Sequence, residues 1–290
     1  MYKPWLYRYS KFVALITLLL ITAGGLVTST GSGLSVPDWP LSYGKFFPPM
    51  IGGIRFEHSH RVIAGFVGIL ALTLMILILA KEKDKLVRLF GVLAFFTVIL
   101  QALLGGLTVI YLLPTWISAF HACLGQIFFC LVTAIVFFTS KSWTQDKEIN
   151  SNDAGSIHRL LAVTTLFIFI QLIIGSIIRH SERASLRLHF ILALLITMHV
   201  LFIAFKIMKE EKVRLKLSSH AAFLAFAIMT QIFLGFGAFI YTRVFTSSLQ
   251  SGTPEILIRT AHQTVGALIL AASFTLTLRA FKFLKQSRIV

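Results

Sequence analysis

Acidic side chains are scarce in this chain. Eleven Asp and Glu stand against 27 Lys and Arg, and charged residues of both signs fill only 13% of its 290 positions. Soluble domains carry about a quarter charged residues, so an ordinary soluble fold is excluded. Cysteine is nearly absent as well. Cys123 and Cys130 are seven residues apart on one helical face, about 10 Å by helical rise and too far for a disulfide. With no zinc or iron–sulfur ligand spacing either, both read as packing residues. Polar linkers are missing too: only 141–158, KSWTQDKEINSNDAGSIH, is long and polar enough to join two halves.

What fills the chain instead is apolar, with 57% of residues hydrophobic. Runs able to cross about 30 Å of hydrocarbon lie at 11–30, 60–80, 87–109, 117–139, 158–178, 187–207, 218–242 and 259–281. They predict an all-α integral membrane protein with eight transmembrane helices, arranged as two pseudo-symmetric four-helix bundles, 1–145 and 146–290. With the N-terminus inside, most Lys and Arg fall in the inner segments 1–11, 81–88, 141–159, 206–216 and 279–288. This bias places both termini in the cytoplasm and accounts for the net charge of +16 without a nucleic-acid partner. Lys3, Arg8 and Lys11 ahead of an apolar stretch resemble a secretory signal. No clear small-x-small cleavage site follows, however, and a retained first helix keeps the helix count even.

Four histidines, His60, His121, His189 and His262, open apolar runs, and each is followed one helical turn later by a small residue: Ala64, Gly125, Ala193 or Gly266. Residues i and i+4 share a helical face, so each imidazole is expected beside a bare patch on which a flat macrocycle can lie. Three of the preceding helices share a phrase, Gln101-Ala-Leu-Leu-Gly105, Gln171-Leu-Ile-Ile-Gly175 and Gln231-Ile-Phe-Leu-Gly235, with a weaker version at Gly24-Gly25 in the first. Glycine there permits close approach of a helix or a ring. The recurrence implies a duplicated four-helix unit that aligns His60 with His189 and His121 with His262. Each half then offers two imidazoles at similar depth. Opposed neutral imidazoles inside a bundle suit axial ligation of a haem iron.

The other five histidines carry less. His158 and His220 read as capping or interfacial residues, His199 as a satisfied core group, and His58 projects from a different helical face than His60. His180 shares a short outer loop with Arg179 and Arg183. Outer cations are scarce, so Arg179, Arg183, Arg187, Arg243 and Arg259 are expected to cluster beside His189 and His262, where guanidinium forks suit haem propionates. For any one of them a snorkelling anchor is the alternative.

Glu57 lies three residues before His60, on the same helical face. Only Asp38, Glu182 and Glu255 are also acidic outside the cytoplasmic segments. A carboxylate there can move protons or stabilise developing positive charge, or it can simply favour a helix start through the macrodipole. The loop 31–59 is the only long outer connection. Pro37, Pro40, Pro48 and Pro49 stiffen it, while Trp39, Phe46 and Phe47 give it an apolar side, as a lid over the first-half site or an interfacial anchor.

The residues alone leave three readings open: an enzyme acting on haem, a di-haem b electron carrier, and a transporter or scaffold with structural histidines. GGLVTSTGSGLSVPDWPLSYGKFFPP, then FEHSHRVIAG, HACLGQ and RTAHQTVGAL, strongly resemble the heme A synthase family across nearly all eight helices. The resemblance implies an oxidoreductase that converts haem O to haem A by oxidising a porphyrin methyl to a formyl in successive two-electron steps. It implies haem b as cofactor, held by the residues matching His189 and His262, and haem O as substrate between those matching His60 and His121. Glu57 stands at the position of the family's functionally important glutamate. The implied setting is the inner (cytoplasmic) membrane. Its partners there are membrane lipid, a haem O synthase, terminal oxidase assembly factors and a respiratory electron acceptor, and a homo-oligomer fits the same reading. One departure matters. Many bacterial members carry a cysteine pair in the first outer loop, where this chain has Ser35 and Ser42, so a thiol–disulfide relay from that loop is excluded.

Overall fold

A backbone inside hydrocarbon must satisfy its own N–H and C=O groups, and a helix does so within one segment. The computed structural model describes residues 2–181, 186–244 and 252–287. Its long helices are α1 (Pro4–Ser29), α2 (Ile54–Lys81), α3 (Lys85–Ile110), α4 (Thr115–Phe138), α6 (Ala154–His180), α7 (Leu186–Lys209), α8 (Glu211–Phe239) and α9 (Thr253–Phe283); α5 (Lys141–Gln145) is one short turn. Among the described residues, eight helices are long and apolar enough to cross a membrane, which makes this an all-α multi-pass membrane protein. Several begin earlier than hydropathy predicts: α2 starts at Ile54 and α8 at Glu211. Helical hydrogen bonding does not stop where apolarity stops, and Glu, Lys and Arg at the interface are good helix formers.

Local chemistry sets the ends. Asp84 caps α3 by accepting from the Leu86 N–H at 2.8 Å. Pro4 and Pro254 occupy the first turns of α1 and α9, where a missing N–H costs nothing. The end of α3 coincides with positive φ at Leu112 and Leu113, both 58°. The polar connector expected to be a plain linker instead folds into α5 and a strand β1 (Ile149–Ser151), which pairs in parallel with β2 (Leu284–Gln286) after α9.

Successive helices α1 to α4 pack on one another and α4 returns to α1; α6 to α9 do the same, with α6 against α9. The two sets meet where α1 and α4 touch α9 and where α4 touches α6. Each has its own buried apolar cluster, one centred on residues such as Leu74, Ile78, Phe128 and Ile135, the other on Leu161, Ile203, Leu224 and Leu270. One face of the molecule gathers both termini. There Lys3 reaches the Lys81 carbonyl and pairs with Glu82 at 2.6 Å, and Lys206 pairs with Asp153 at 2.7 Å. The opposite face carries the long loop after α1 and the starts of α2, α4, α7 and α9.

Candidate functional site

His60, His121, His189 and His262 all lie in the first three turns of α2, α4, α7 and α9. Each meets a glycine of the preceding helix, α1, α3, α6 or α8. A Cβ added at Gly24, Gly105 or Gly235 would stand 3.1 Å from the Cε1 of His60, His121 or His262, and one at Gly175 would stand 3.3 Å from that of His189. Those separations are tighter than ordinary contact, so each glycine is the floor of an imidazole cradle. The glycines one turn after His121 and His262 do different work from that expected. A Cβ at Gly125 would meet the Gln101 amide nitrogen at 3.2 Å, and one at Gly266 the Gln231 amide nitrogen at 3.3 Å. Rather than leaving a bare patch for a macrocycle, these two glycines admit the glutamine of the neighbouring helix.

The cradles bring the histidines into pairs. In α7 and α9 the rings of His189 and His262 have centroids 6.4 Å apart at an interplanar angle of 63°. Two imidazoles binding one ion from opposite sides, each through a metal–nitrogen bond of about 2 Å, have ring centres roughly 6 Å apart. The pair therefore fits bis-histidine ligation. His60 and His121 lie within electrostatic reach of each other. The Nδ1 atoms of His60, His189 and His262 are buried without a hydrogen-bond partner, as are the side-chain amide oxygens of Gln101, Gln171 and Gln231, whereas His121 Nδ1 lies 3.1 Å from the backbone carbonyl oxygen of Gln101. Buried polar atoms are normally satisfied, so this concentration of orphans marks a place built for another group. No cluster of three or more His, Cys, Asp or Glu able to hold a bare metal ion occurs among the described residues. A porphyrin supplies its own four nitrogens, and two histidines per iron suffice.

Glu57 does not turn toward His60 as its spacing suggested. It is buried, its Oε2 accepts from the Val36 N–H at 2.8 Å, and its Oε1 from Arg61 Nη2 at 2.5 Å. Arg61, which follows His60 in the sequence, also donates to the carbonyls of Asp38 at 2.6 Å, Leu41 at 2.7 Å and Val36 at 3.2 Å. The pair is a clamp on the loop. Ser42 Oγ bonds His58 Nδ1 at 2.8 Å, and Asp38 accepts the N–H groups of Tyr43 at 2.6 Å and Gly44 at 2.7 Å. The Gly44 and Tyr43 donors hold the Asp38 carboxyl below the ordinary carboxylate range. Trp39 lies so close over Gly106 that a Cβ there would stand 2.7 Å from the indole. Gly106 adjoins the cradle of His121.

The four described arginines of this set have different surroundings. Arg179 turns into the protein and donates to the Gly25 carbonyl at 3.0 Å and Ser29 Oγ at 2.6 Å, within electrostatic reach of His262. Arg259 pairs with Glu255 at 2.9 Å. Arg187 and Arg243 are exposed, and Arg183 lies outside the described residues. The reason is local: Glu255, one turn before Arg259, and the Gly25 carbonyl and Ser29 hydroxyl on α1 are nearby acceptors. Cys123 and Cys130 are free and buried, as expected.

The family of cytochrome oxidase assembly proteins designated COX15-CtaA matches residues 7–52 and 54–187. This chain belongs to the COX15-CtaA family. It is 28% identical over 176 residues to the heme A synthase of Exiguobacterium sibiricum, covering 59% of this chain and 58% of that protein. It is 30% identical over 180 residues to the heme A synthase of Bacillus pumilus, covering 60% and 58%. With that of Bacillus cereus strain AH187 the identity is 31% over 194 residues, covering 62% and 60%. The matches span less than two thirds of these relatives' lengths. The stretch assigned to COX15-CtaA contains Glu57, His60 and His121 but ends at Arg187, just before His189. The second histidine pair is thus recognised through the geometry of its cradles.

Three further histidines of this COX15-CtaA member have ordinary partners. His158 Nε2 lies 3.0 Å from the Ala280 carbonyl oxygen and its ring stacks on Phe281, His199 contacts Thr164 at 3.2 Å, and His220 contacts Ser219 at 3.2 Å.

Proposed function

We propose that this chain is a haem A synthase: an oxidoreductase that takes haem O, oxidises one porphyrin methyl to a formyl in successive two-electron steps, and releases haem A for terminal oxidases. The observation that carries the reading is two imidazole pairs, each ring cradled by a glycine, on one face of an eight-helix membrane protein. A carrier that moves electrons across a membrane needs haems at two depths, so the single face favours chemistry over transport. The heme A synthases among its relatives support the same activity.

In this reading 1–145 and 146–290 are two related halves. His60 and His121 hold the substrate haem O in the first, and His189 and His262 hold haem b in the second. Haem b, when bound, supplies a one-electron relay toward a respiratory acceptor. The residues of the chain do the rest. Paired imidazoles fix the ring's position in the bundle, and apolar helix faces accept the prenyl tail. Trp39 and its loop close over the first site and limit water, while Glu57 and Arg61 set the loop's position. Glu57 acts here as a positioning residue, since both its oxygens are already engaged. Buried beside His262, Arg179 is the arginine best placed to receive a propionate; Arg183, Arg187, Arg243 and Arg259 are secondary. The basic terminal face lies in the cytoplasm and the histidine face outside, by the positive-inside bias. A haem O synthase upstream and oxidase assembly factors downstream are the partners this chemistry requires.

Co-expression with a haem O synthase, followed by chromatography of the extracted haems, tests the reading. Wild type is expected to yield haem A and haem b. His60→Ala and His121→Ala lose haem A and keep haem b, and His189→Ala and His262→Ala lose haem b. Haem b alone from wild type in the presence of haem O identifies a di-haem b carrier instead, and absence of any Soret band identifies a scaffold.

A further inference from the structure

On the face that carries both termini, far from the histidine pairs, two cavities of about 390 and 500 Å³ open side by side and share Thr133, His220 and Thr275 in their walls. Thr133 and His121 are 12 residues apart on α4, about 18 Å by helical rise. The larger cavity is at the membrane boundary and takes Lys11, Lys141 and Arg279 into its wall with Tyr7 and Ser142, and no carboxylate. The smaller continues toward the bilayer interior among α4, α8 and α9, walled by Phe129, Phe223, Leu268 and Ala272. The joined space is therefore polar and cationic at its mouth and apolar at its depth.

The cations are held but not neutralised. The Arg279 guanidinium stands 5.1 Å over the Phe137 ring and 5.4 Å over the Phe283 ring, which fixes its plane. It donates to Ser142 Oγ at 3.3 Å, and its Nε is buried without a partner. Lys11 and Lys141 form no ion pair among the described residues. The nearby acid, Asp146, already accepts from Ser142 Oγ at 2.8 Å and pairs with Lys216 at 3.2 Å. Three cations around a cavity with no acid in its wall, one with an unused buried donor, match a phosphodiester. An apolar continuation of that cavity matches an acyl chain.

We propose that this space binds one anionic phospholipid from the leaflet on the terminal face, its phosphodiester among Lys11, Lys141 and Arg279 and one acyl chain along Phe129, Phe223 and Leu268. The site lies where α1 and α4 meet α8 and α9, so the lipid bridges the two helix sets and stabilises their junction. It is independent of the haem reading.

The full-length protein in detergent, supplied with phosphatidylglycerol or phosphatidylcholine, is examined by native mass spectrometry. Wild type is expected to retain one phosphatidylglycerol per chain at concentrations where phosphatidylcholine is not retained. Lys11→Gln with Arg279→Gln weakens that retention about tenfold or more. Ala272→Phe, which fills the apolar cavity and leaves every cation in place, weakens it as well. Lys83→Gln with Lys85→Gln, at exposed positions on the same face, leaves it unchanged. Size-exclusion profile and helical circular dichroism report folding; if the double variant fails them, Lys141→Gln and Ala272→Phe carry the comparison. Equal retention of phosphatidylcholine, or full retention in folded cavity variants, overturns the proposal. Displacement by inorganic phosphate as effective as by added phosphatidylglycerol also overturns it, in favour of a small soluble anion.

Discussion

At the residue scale, the unit of this molecule is a histidine on one helix and a glycine on the helix before it. Hydrogen is the only side chain that leaves room for the ring, because a methyl at Gly235 would press on the His262 Cε1 at 3.1 Å. Overpacking of this kind costs about 1–3 kcal/mol. Gly235→Ala is therefore expected to lower the midpoint of thermal unfolding and to shift the absorption of haem bound by His262. Gly65→Ala and Gly68→Ala are the contrasting case, since nothing lies within 4 Å of either added methyl. Removing a helix-interior glycine there adds about 0.5–1 kcal/mol of helical preference, so both variants unfold at or above the wild-type midpoint. The histidines and the glycine phrase were legible as a set in the sequence. Which glycine serves which ring was not, because Gly125 and Gly266 sit at the right helical spacing yet contact glutamines from another helix.

At the scale of one element, the loop after α1 keeps its shape without any cysteine. Its closure rests on Arg61 and Glu57, a nearly buried ion pair that also holds three loop carbonyls and one N–H. Removing one partner of such a pair costs on the order of 3 kcal/mol. Glu57→Ala is expected to open 31–53 to limited proteolysis at neutral pH and lower haem A yield with it, whereas Glu57→Gln keeps an acceptor for the Val36 N–H and retains more of both. Asp38 gives the loop a defined response to acid. Its pKa is lowered below 3.8 by the Gly44 and Tyr43 N–H groups, so its contribution is fully present above the unfolded value and lost only as pH falls through the lower folded value. Hydrogen exchange at Tyr43 and Gly44 is expected to stay protected down to about pH 4 and to rise below it, and Asp38→Asn removes both the protection and its pH dependence. The stiffness and apolar side of this loop were legible in its prolines and aromatics. The clamp did not, because Arg61 gains its meaning only from carbonyls 20 to 25 residues earlier.

At the scale of the whole molecule, two helix sets with separate apolar clusters share the junction of α1 and α4 with α9 and α6. If each set holds one haem, haem extracted per chain is two for wild type with substrate present and one for His189→Ala or His60→Ala, by pyridine haemochrome against protein mass. Loss of both haems from either single variant shows one shared site instead. Hydropathy and charge bias by themselves determined the eight helices and which of their ends belong together, because crossing hydrocarbon constrains every residue of a span in the same way. The sequence also marked the four histidines, since a polar ring inside such a span is costly without a task. Only the tertiary structure decided that His189 faces His262, that Glu57 is spent on the loop, and that Arg179 turns to α1 while Arg259 pairs with Glu255. These depend on which helix lies beside which and how each is rotated, and close packing between helices fixes both through contacts that sequence spacing does not encode.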